Sequence, residues 1–141
     1  MASVVDQVAQ AVQASQRISA TNEERLIAAQ LYQQLQAGEI HASASVAAEL
    51  TSESLPAEVQ VVGFTLLQHL VSHRWSEFSP PERQELAALS LRLLTRGAAL
   101  PWALRSKAAV LLALVVTRSG AEAYEALLPR LLGLAADGSA A

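Results

Sequence analysis

Apolar residues recur three and four positions apart in every long segment of this 141-residue sequence, and strict alternation of apolar and polar residues is missing throughout. That spacing places apolar side chains on one face of an α-helix, whereas alternation would place them on one face of a strand. Hydrophobic residues make up 52% of the chain and aromatic residues only 4%, which favours closely packed helices over a sandwich or barrel. The sequence therefore predicts an all-α fold.

Helix starts and stops are marked by capping residues, glycines and prolines. Thr21 with Glu24, and Ser79 with Glu82, form the pattern of a capping box, which satisfies two otherwise unpaired backbone amides. Pro80 suits the first turn, where its missing amide costs nothing. We predict helices over residues 3–15, 21–37, 39–50, 57–74, 79–96 and 101–118. A last helix after Gly120 would hold Tyr124, Leu127, Leu128, Leu131 and Leu132, with a kink or early end at Pro129.

Three of these helices carry apolar faces that we expect to be buried. The faces consist of Val4, Val8, Ala11 and Val12 in the first helix, Ile27, Leu31, Tyr32 and Leu35 in the second, and Val59, Val62, Leu66, Leu67, Leu70 and Val71 in the fourth. Gly63 lies within the fourth helix, where a glycine costs up to ~1 kcal/mol relative to alanine. We therefore expect it to mark a close approach to a neighbouring helix.

Short connectors join the helices in pairs. The second helices of successive pairs begin near Thr21, Ala57 and Pro101, an irregular recurrence that still falls in the range of the ~40 to 47 residue HEAT and armadillo units. We predict that residues 1–141 form about three HEAT-like antiparallel helix pairs, stacked as a short right-handed solenoid. A single helical bundle is the alternative.

Charge and composition exclude several classes of protein. The formal net charge is −3 with a pI of about 5.6, so no basic field would gather nucleic acid onto this segment, and no direct nucleic-acid binding is expected. The absence of Cys excludes disulfides, thiolate metal sites and thiol nucleophiles. The most apolar window, residues 108–116, is far shorter than the roughly 20 residues of a membrane span, so no membrane insertion is expected.

Catalytic and metal-binding patterns are weak. His69, His73 and Glu77 are spaced four apart, as a helix-borne metal site could be, but the glutamate that follows the first histidine of a zincin helix is missing. No nucleophile elbow or glycine-rich phosphate loop occurs, and Asp6 and Asp137, the two aspartates, lie at opposite ends of the chain. We therefore expect no enzyme activity, no catalytic residues, no cofactor and no metal site.

Basic and aromatic residues near the pair boundaries have two interpretations. Arg92, Arg96, Arg105 and Lys107 are either solvated helix ends or parts of a partner-binding ridge. The two tryptophans, Trp75 and Trp102, are interpreted as filling the space between repeats.

The segment VVGFTLLQHLVSHRWSEFSPPERQELAALSLRLLT, residues 61–95, resembles the early repeats of the exportin-five family, plant HASTY type, in the importin-β superfamily. The resemblance is carried by the run Leu67 to Val71, the pair Arg74 and Trp75, and the helix start Ser79 to Glu82. It extends over about residues 20–134, and its specificity lies mostly in residues 66–82.

The resemblance implies a HEAT-repeat nuclear export receptor that shuttles between nucleus and cytoplasm. Such a receptor binds the GTP form of Ran through its first repeats, carries small structured RNA of the microRNA type or protein cargo, and contacts nuclear pore proteins. We expect residues 1–141 to be an amino-terminal segment of a much longer solenoid. Our prediction for the residues that face Ran is Gln60, Phe64, Gln68, Ser72, Arg105 and Lys107.

Two interpretations compete with these expectations. Phe64 has a rival role in the core, because a small rotation of its helix would bury it. The functional alternatives are a helical-repeat scaffold that binds a peptide without GTPase dependence, and a small lipid-associated bundle, which the acidic charge disfavours.

Overall fold

The computed structural model describes residues 3–96, 101–120 and 129. The helices are α1 (Val4–Gln16), α2 (Asn22–Ala37), α3 (Ile40–Leu50), α4 (Ala57–His73), α5 (Pro80–Thr95) and α6 (Trp102–Ser119). A short 3-10 helix, Trp75–Glu77, joins α4 to α5. No strand occurs in the described residues, and the all-α prediction is confirmed. The predicted last helix, apart from its residue 129, lies outside the described residues.

Capping boxes begin three of the helices. The two predicted boxes are present, with Thr21 Oγ1 accepting from the Glu24 amide at 3.1 Å and Ser79 Oγ from the Glu82 amide at 3.4 Å. A third box, not predicted, joins Ser3 to Asp6 at the start of α1. These starts are local in sequence, which is why short patterns predict them well.

The helices pack as sequential pairs that stack on one another. Within the pairs α1 packs on α2, α3 on α4 and α5 on α6. Between pairs, α4 contacts α2 on one side and α6 on the other, so the three second helices form one layer. The predicted short solenoid of HEAT-like helix pairs is confirmed, while its handedness stays a prediction.

Helix α4 occupies the centre of this stack and supplies most of the core. Five of its residues cluster with buried residues of α3, α5 and α6, Val59 clusters with buried residues of α1 and α3, and eight of its residues are buried in all. Gly63 is one of them: a Cβ there would lie 2.8 Å from Leu50 Cβ and 2.9 Å from the Thr51 nitrogen. The predicted close approach at Gly63 is therefore confirmed, and α3 is the neighbour.

The predicted buried faces of α1 and α2 are wrong at their outer residues. None of the residues of α2 is buried, and the side chain of Ile27 is 45% exposed, while Leu31, Tyr32 and Leu35 are half-buried. In α1, Val8 and Val12 are buried but Val4 is exposed. The reason is position, because in the described part of the chain α2 has α1, α3 and α4 on its inner side and no helix beyond it.

Candidate partner-binding surface

The six residues predicted to face a partner lie on α4 and α6, and the structure buries two of them. Phe64 is 0% exposed and belongs to the core cluster that joins α3, α4, α5 and α6. Its burial contradicts the prediction that it faces a partner and confirms the rival role in the core. The physical reason is that α4 has neighbours on several sides, so its buried face is wider than the apolar stripe alone indicates.

Gln60 is the second buried member of the predicted set, with 6% of its surface exposed. Its Nε2 donates to the Leu55 carbonyl at 2.7 Å, and its Oε1 accepts from Arg96 Nη2 at 3.0 Å. A buried amide that is hydrogen-bonded at both ends holds neighbouring segments together. The prediction that Gln60 faces a partner is likewise contradicted by its burial.

The remaining four residues lie on two adjacent helices, α4 and α6, and are here called the α4–α6 surface: Gln68, Ser72, Arg105 and Lys107. Gln68 Nε2 donates to the Lys107 carbonyl at 3.1 Å, and Lys107 Nζ donates to Thr65 Oγ1 at 3.3 Å. Gln68, Ser72 and Lys107 are half-buried, whereas Arg105 is exposed in the first turn of α6. Contact of these four residues with a partner stays a prediction.

The charge on this surface is basic. Helix α6 contains Arg105, Lys107 and Arg118 and no acidic residue, although the whole chain has a formal net charge of −3. The hydrogen bond of Lys107 to Thr65 fixes its ammonium group against α4. Lys107 is thus an ordered basic group, which loses less conformational entropy on binding than a freely rotating one.

His69 and His73 lie side by side on α4, with ring centroids 4.7 Å apart. Partial burial is the main cause that lowers the pKa of His69, and the nearby His73 and Arg74 lower it further. Glu77 does not turn towards them, because both of its oxygens bind Arg74, at 2.6 and 2.7 Å. Among the described residues, no three His, Asp or Glu side chains are grouped so that they could hold a metal ion.

Trp75 and Trp102 have different surroundings. Trp75 is half-buried against the core and makes an edge contact with Phe78, with ring centroids 6.2 Å apart. The Arg83 guanidinium lies over its ring, with Cζ 5.3 Å from the ring centroid. It fills the seam between α4 and α5 as predicted. Trp102 is 75% exposed at the start of α6, so the prediction that it fills a space between repeats is wrong for the part of the chain described here.

Arg96 departs from the interpretation of a solvated helix end. Its guanidinium donates to the Thr51 carbonyl at 2.7 Å as well as to Gln60, and only 19% of the side chain is exposed. Arg92, one turn earlier on α5, is exposed. Sequence reasoning missed the cross-repeat role of Arg96 because the carbonyl that it binds lies 45 residues away.

The described helices include none that is both long enough and apolar enough to cross a membrane.

Comparison with curated proteins finds a relative over nearly the whole chain. Protein HASTY 1 of Arabidopsis thaliana is 33% identical over an alignment of 138 residues, and the match covers 96% of this chain but only 12% of the length of HASTY 1. No family model and no solved structure matches the chain. The similarity to HASTY 1 thus includes the sequence on both sides of residues 66–82, the segment that carries the resemblance to the exportin-five family.

Proposed function

From the membership of this chain in the HASTY type of the exportin-five family, we propose that it is a segment of a nuclear export receptor and helps to bind the GTP form of Ran. The observation that carries the proposal is the 33% identity over 96% of the chain. The receptor shuttles between nucleus and cytoplasm and is not an enzyme. Its cargo, small structured RNA or protein, and its nuclear pore contacts belong to the whole receptor, of which this chain is an amino-terminal HEAT-repeat segment.

The α4–α6 surface supports a role in GTPase binding. It combines an exposed arginine, a lysine held in place by Thr65, and polar groups on two adjacent helices of the same layer. Stacked repeats present such side chains as a nearly rigid array, which lowers the entropy lost when a partner binds. Positive groups on this array would also speed the encounter with an acidic partner surface.

A direct test compares Ran loaded with a non-hydrolysable GTP analogue and Ran loaded with GDP, each passed over the immobilised 141-residue chain. We expect retention of the GTP form and much weaker retention of the GDP form. Equal retention of the two forms would contradict the proposal.

A charge reversal in the same assay tests the surface. Arg105→Glu should weaken retention of GTP-loaded Ran several-fold, because it places a negative charge on the α4–α6 surface. Arg92→Glu is the matched control, since Arg92 is also an exposed arginine but lies on α5, in the other helix layer. A similar loss in both variants would show that overall charge, and not this surface, governs binding.

The alternative function is a helical-repeat scaffold that binds a peptide without GTPase dependence. Exposed apolar side chains favour it, namely Leu26 and Ile27 on α2 and Val110 on α6. Retention that is independent of the nucleotide, in the assay above, is the outcome that this alternative expects.

A further inference from the structure

Three arginines end three consecutive helices at a constant spacing. Arg74 follows α4, Arg96 follows α5 and Arg118 lies in the last turn of α6. Arg74 and Arg96 are 22 positions apart, as are Arg96 and Arg118. Each arginine ends a similar tetrapeptide, Val-Ser-His-Arg, Leu-Leu-Thr-Arg and Val-Val-Thr-Arg in turn. Two such intervals make 44 residues, which is the length of one HEAT-type helix pair.

Each of these arginines donates to the carbonyl end of the helix two before its own. Arg74 Nη1 donates to the carbonyls of Gln36 and Gly38 at the end of α2, both at 2.8 Å. Arg96 Nη1 donates to the carbonyl of Thr51, the residue that ends α3, at 2.7 Å. The third arginine follows the same rule: its Nη2 donates to the Ser72 carbonyl near the end of α4 at 2.8 Å.

The receiving helices need such a donor. The last four carbonyls of an α-helix have no partner within the helix, and a residue of positive φ just after the helix is a common way to satisfy them. Helices α2, α3 and α4 end at residues whose φ angles are −73°, −81° and −130°. Among the described residues Gly120, after α6, is the one with a positive φ. A guanidinium from the next repeat takes over this function and also complements the negative end of the helix dipole.

Two of the arginines are themselves held in place. Glu77 binds Arg74 Nε and Nη2 at 2.6 and 2.7 Å, and Gln60 accepts from Arg96 Nη2 at 3.0 Å. The side chains of Arg74 and Arg96 are only 17% and 19% exposed. A planar guanidinium fixed on one edge presents its other donors in one direction, which a flexible lysine ammonium does not do.

We propose that Arg74, Arg96 and Arg118 form a register clamp, which fixes how far each helix is displaced along its axis against the corresponding helix of the preceding repeat. Arg74 and Arg118 clamp the layer of α2, α4 and α6, and Arg96 clamps α5 to α3 in the other layer. Sliding or bending at a seam must break one of these charged hydrogen bonds. The clamp therefore sets the spacing of the side chains that the stack presents to a partner.

Hydrogen–deuterium exchange of the 141-residue chain tests the clamp at the second seam. Arg96→Gln should speed exchange of the amides at the end of α3 and in residues 51–55 by about tenfold or more, since hydrogen bonds to charged donors are among the stronger ones. Arg92→Gln is the matched control, because it removes the same charge from the same last turn of α5 without a hydrogen bond to α3. The control should leave exchange in residues 46–55 unchanged.

Two further variants keep the test decisive. Arg96→Lys keeps the charge but lacks the planar guanidinium, so the amides of residues 46–55 should exchange faster than in the wild type and more slowly than in Arg96→Gln. If Arg96→Gln fails to fold, the comparison of Arg96→Lys with the wild type still tests the clamp. Arg118→Gln should speed exchange at the end of α4 and not at the end of α3. The proposal is overturned if Arg96→Lys exchanges like the wild type, or if Arg92→Gln matches Arg96→Gln, because charge alone would then explain the effect.

Discussion

Gly63 is the residue at which two physical effects oppose each other most clearly. Alanine is the better helix former by up to ~1 kcal/mol. A Cβ at this position would, however, lie within 3 Å of the Leu50 Cβ and of the backbone between Leu50 and Thr51. Since backbone atoms of α3 cannot rotate away as a flexible side chain can, the steric effect dominates. We expect Gly63→Ala to lower the free energy of unfolding by ~1–3 kcal/mol, measured by urea denaturation.

The control for this variant is Ala109→Gly, at an exposed position of α6. That change reports the intrinsic difference between alanine and glycine in a helix of the same chain, so it should destabilise by at most ~1 kcal/mol. If Gly63→Ala stabilised the chain as the helix propensities alone predict, the close approach of α3 and α4 would be wrong.

At the scale of a single helix, the start of α5 depends on a charged carboxylate. Glu82 accepts from the Ser79 amide at 2.9 Å, and this backbone hydrogen bond is the main cause that lowers the pKa of Glu82 below its ordinary value of 4.5. A carboxyl whose pKa is lower in the folded chain stabilises the fold above its unfolded pKa, and that contribution disappears as the pH falls through the folded pKa. Glu82→Gln should therefore lower the melting temperature at pH 7, with a difference from wild type that shrinks as the pH drops below 4.5.

Glu85→Gln is the comparison for this helix start, since Glu85 is an exposed glutamate of the same helix and lies outside the capping box. Its effect on the melting temperature at pH 7 should be smaller than that of Glu82→Gln. Equal effects of the two variants across the pH range would mean that loss of a negative charge, and not loss of the cap, causes the change.

Helix starts were predictable from the sequence because the atoms that make them lie within three residues of one another, as at Thr21 and Ser79. Burial was less predictable, because it depends on which helices become neighbours. Ile27 has the same apolar character as the buried leucines of α4, but α2 lies at the edge of the described stack. Phe64 lies beside the apolar stripe of α4 and is nevertheless fully enclosed.

Two of the six residues predicted to face a partner, Gln60 and Phe64, are buried, and contact of the other four with a partner stays a prediction. The sequence pointed to α4 and α6, which do lie side by side, and four of the six residues are at least partly accessible. The cross-repeat bonds of Arg96 and Gln60 join residues 36 positions apart, a separation at which no local pattern applies. The spacing of 22 between arginines was nevertheless present in the sequence, and a search for repeated positions would have found it.

At the scale of the whole molecule, stability is distributed unevenly along the stack. Helix α4 contacts α1, α2, α3 and α6 and buries eight residues, whereas α2 buries none. In a stack of repeats each unit is stabilised by its own packing and by its immediate neighbours. The first pair, α1 and α2, should therefore open more readily than the second and third pairs, which are joined by the contact of α4 with α6. Amides of α2 should accordingly exchange faster than amides of α4.

Two leucine-to-alanine variants distinguish a stack whose pairs differ in stability from a chain that unfolds as a single cooperative unit. Leu67→Ala removes a fully buried side chain of α4, should cost ~2–5 kcal/mol, and should speed exchange in α3, α4 and α6 together. Leu31→Ala makes the same chemical change at a half-buried position of α2, so it should speed exchange mainly in α1 and α2. Since the substitution is identical, any difference in the extent of the response reports how each helix is connected to its neighbours. If both variants accelerated exchange uniformly over the described helices, the stack would behave as one unit, and the edge position of α2 would have no energetic consequence.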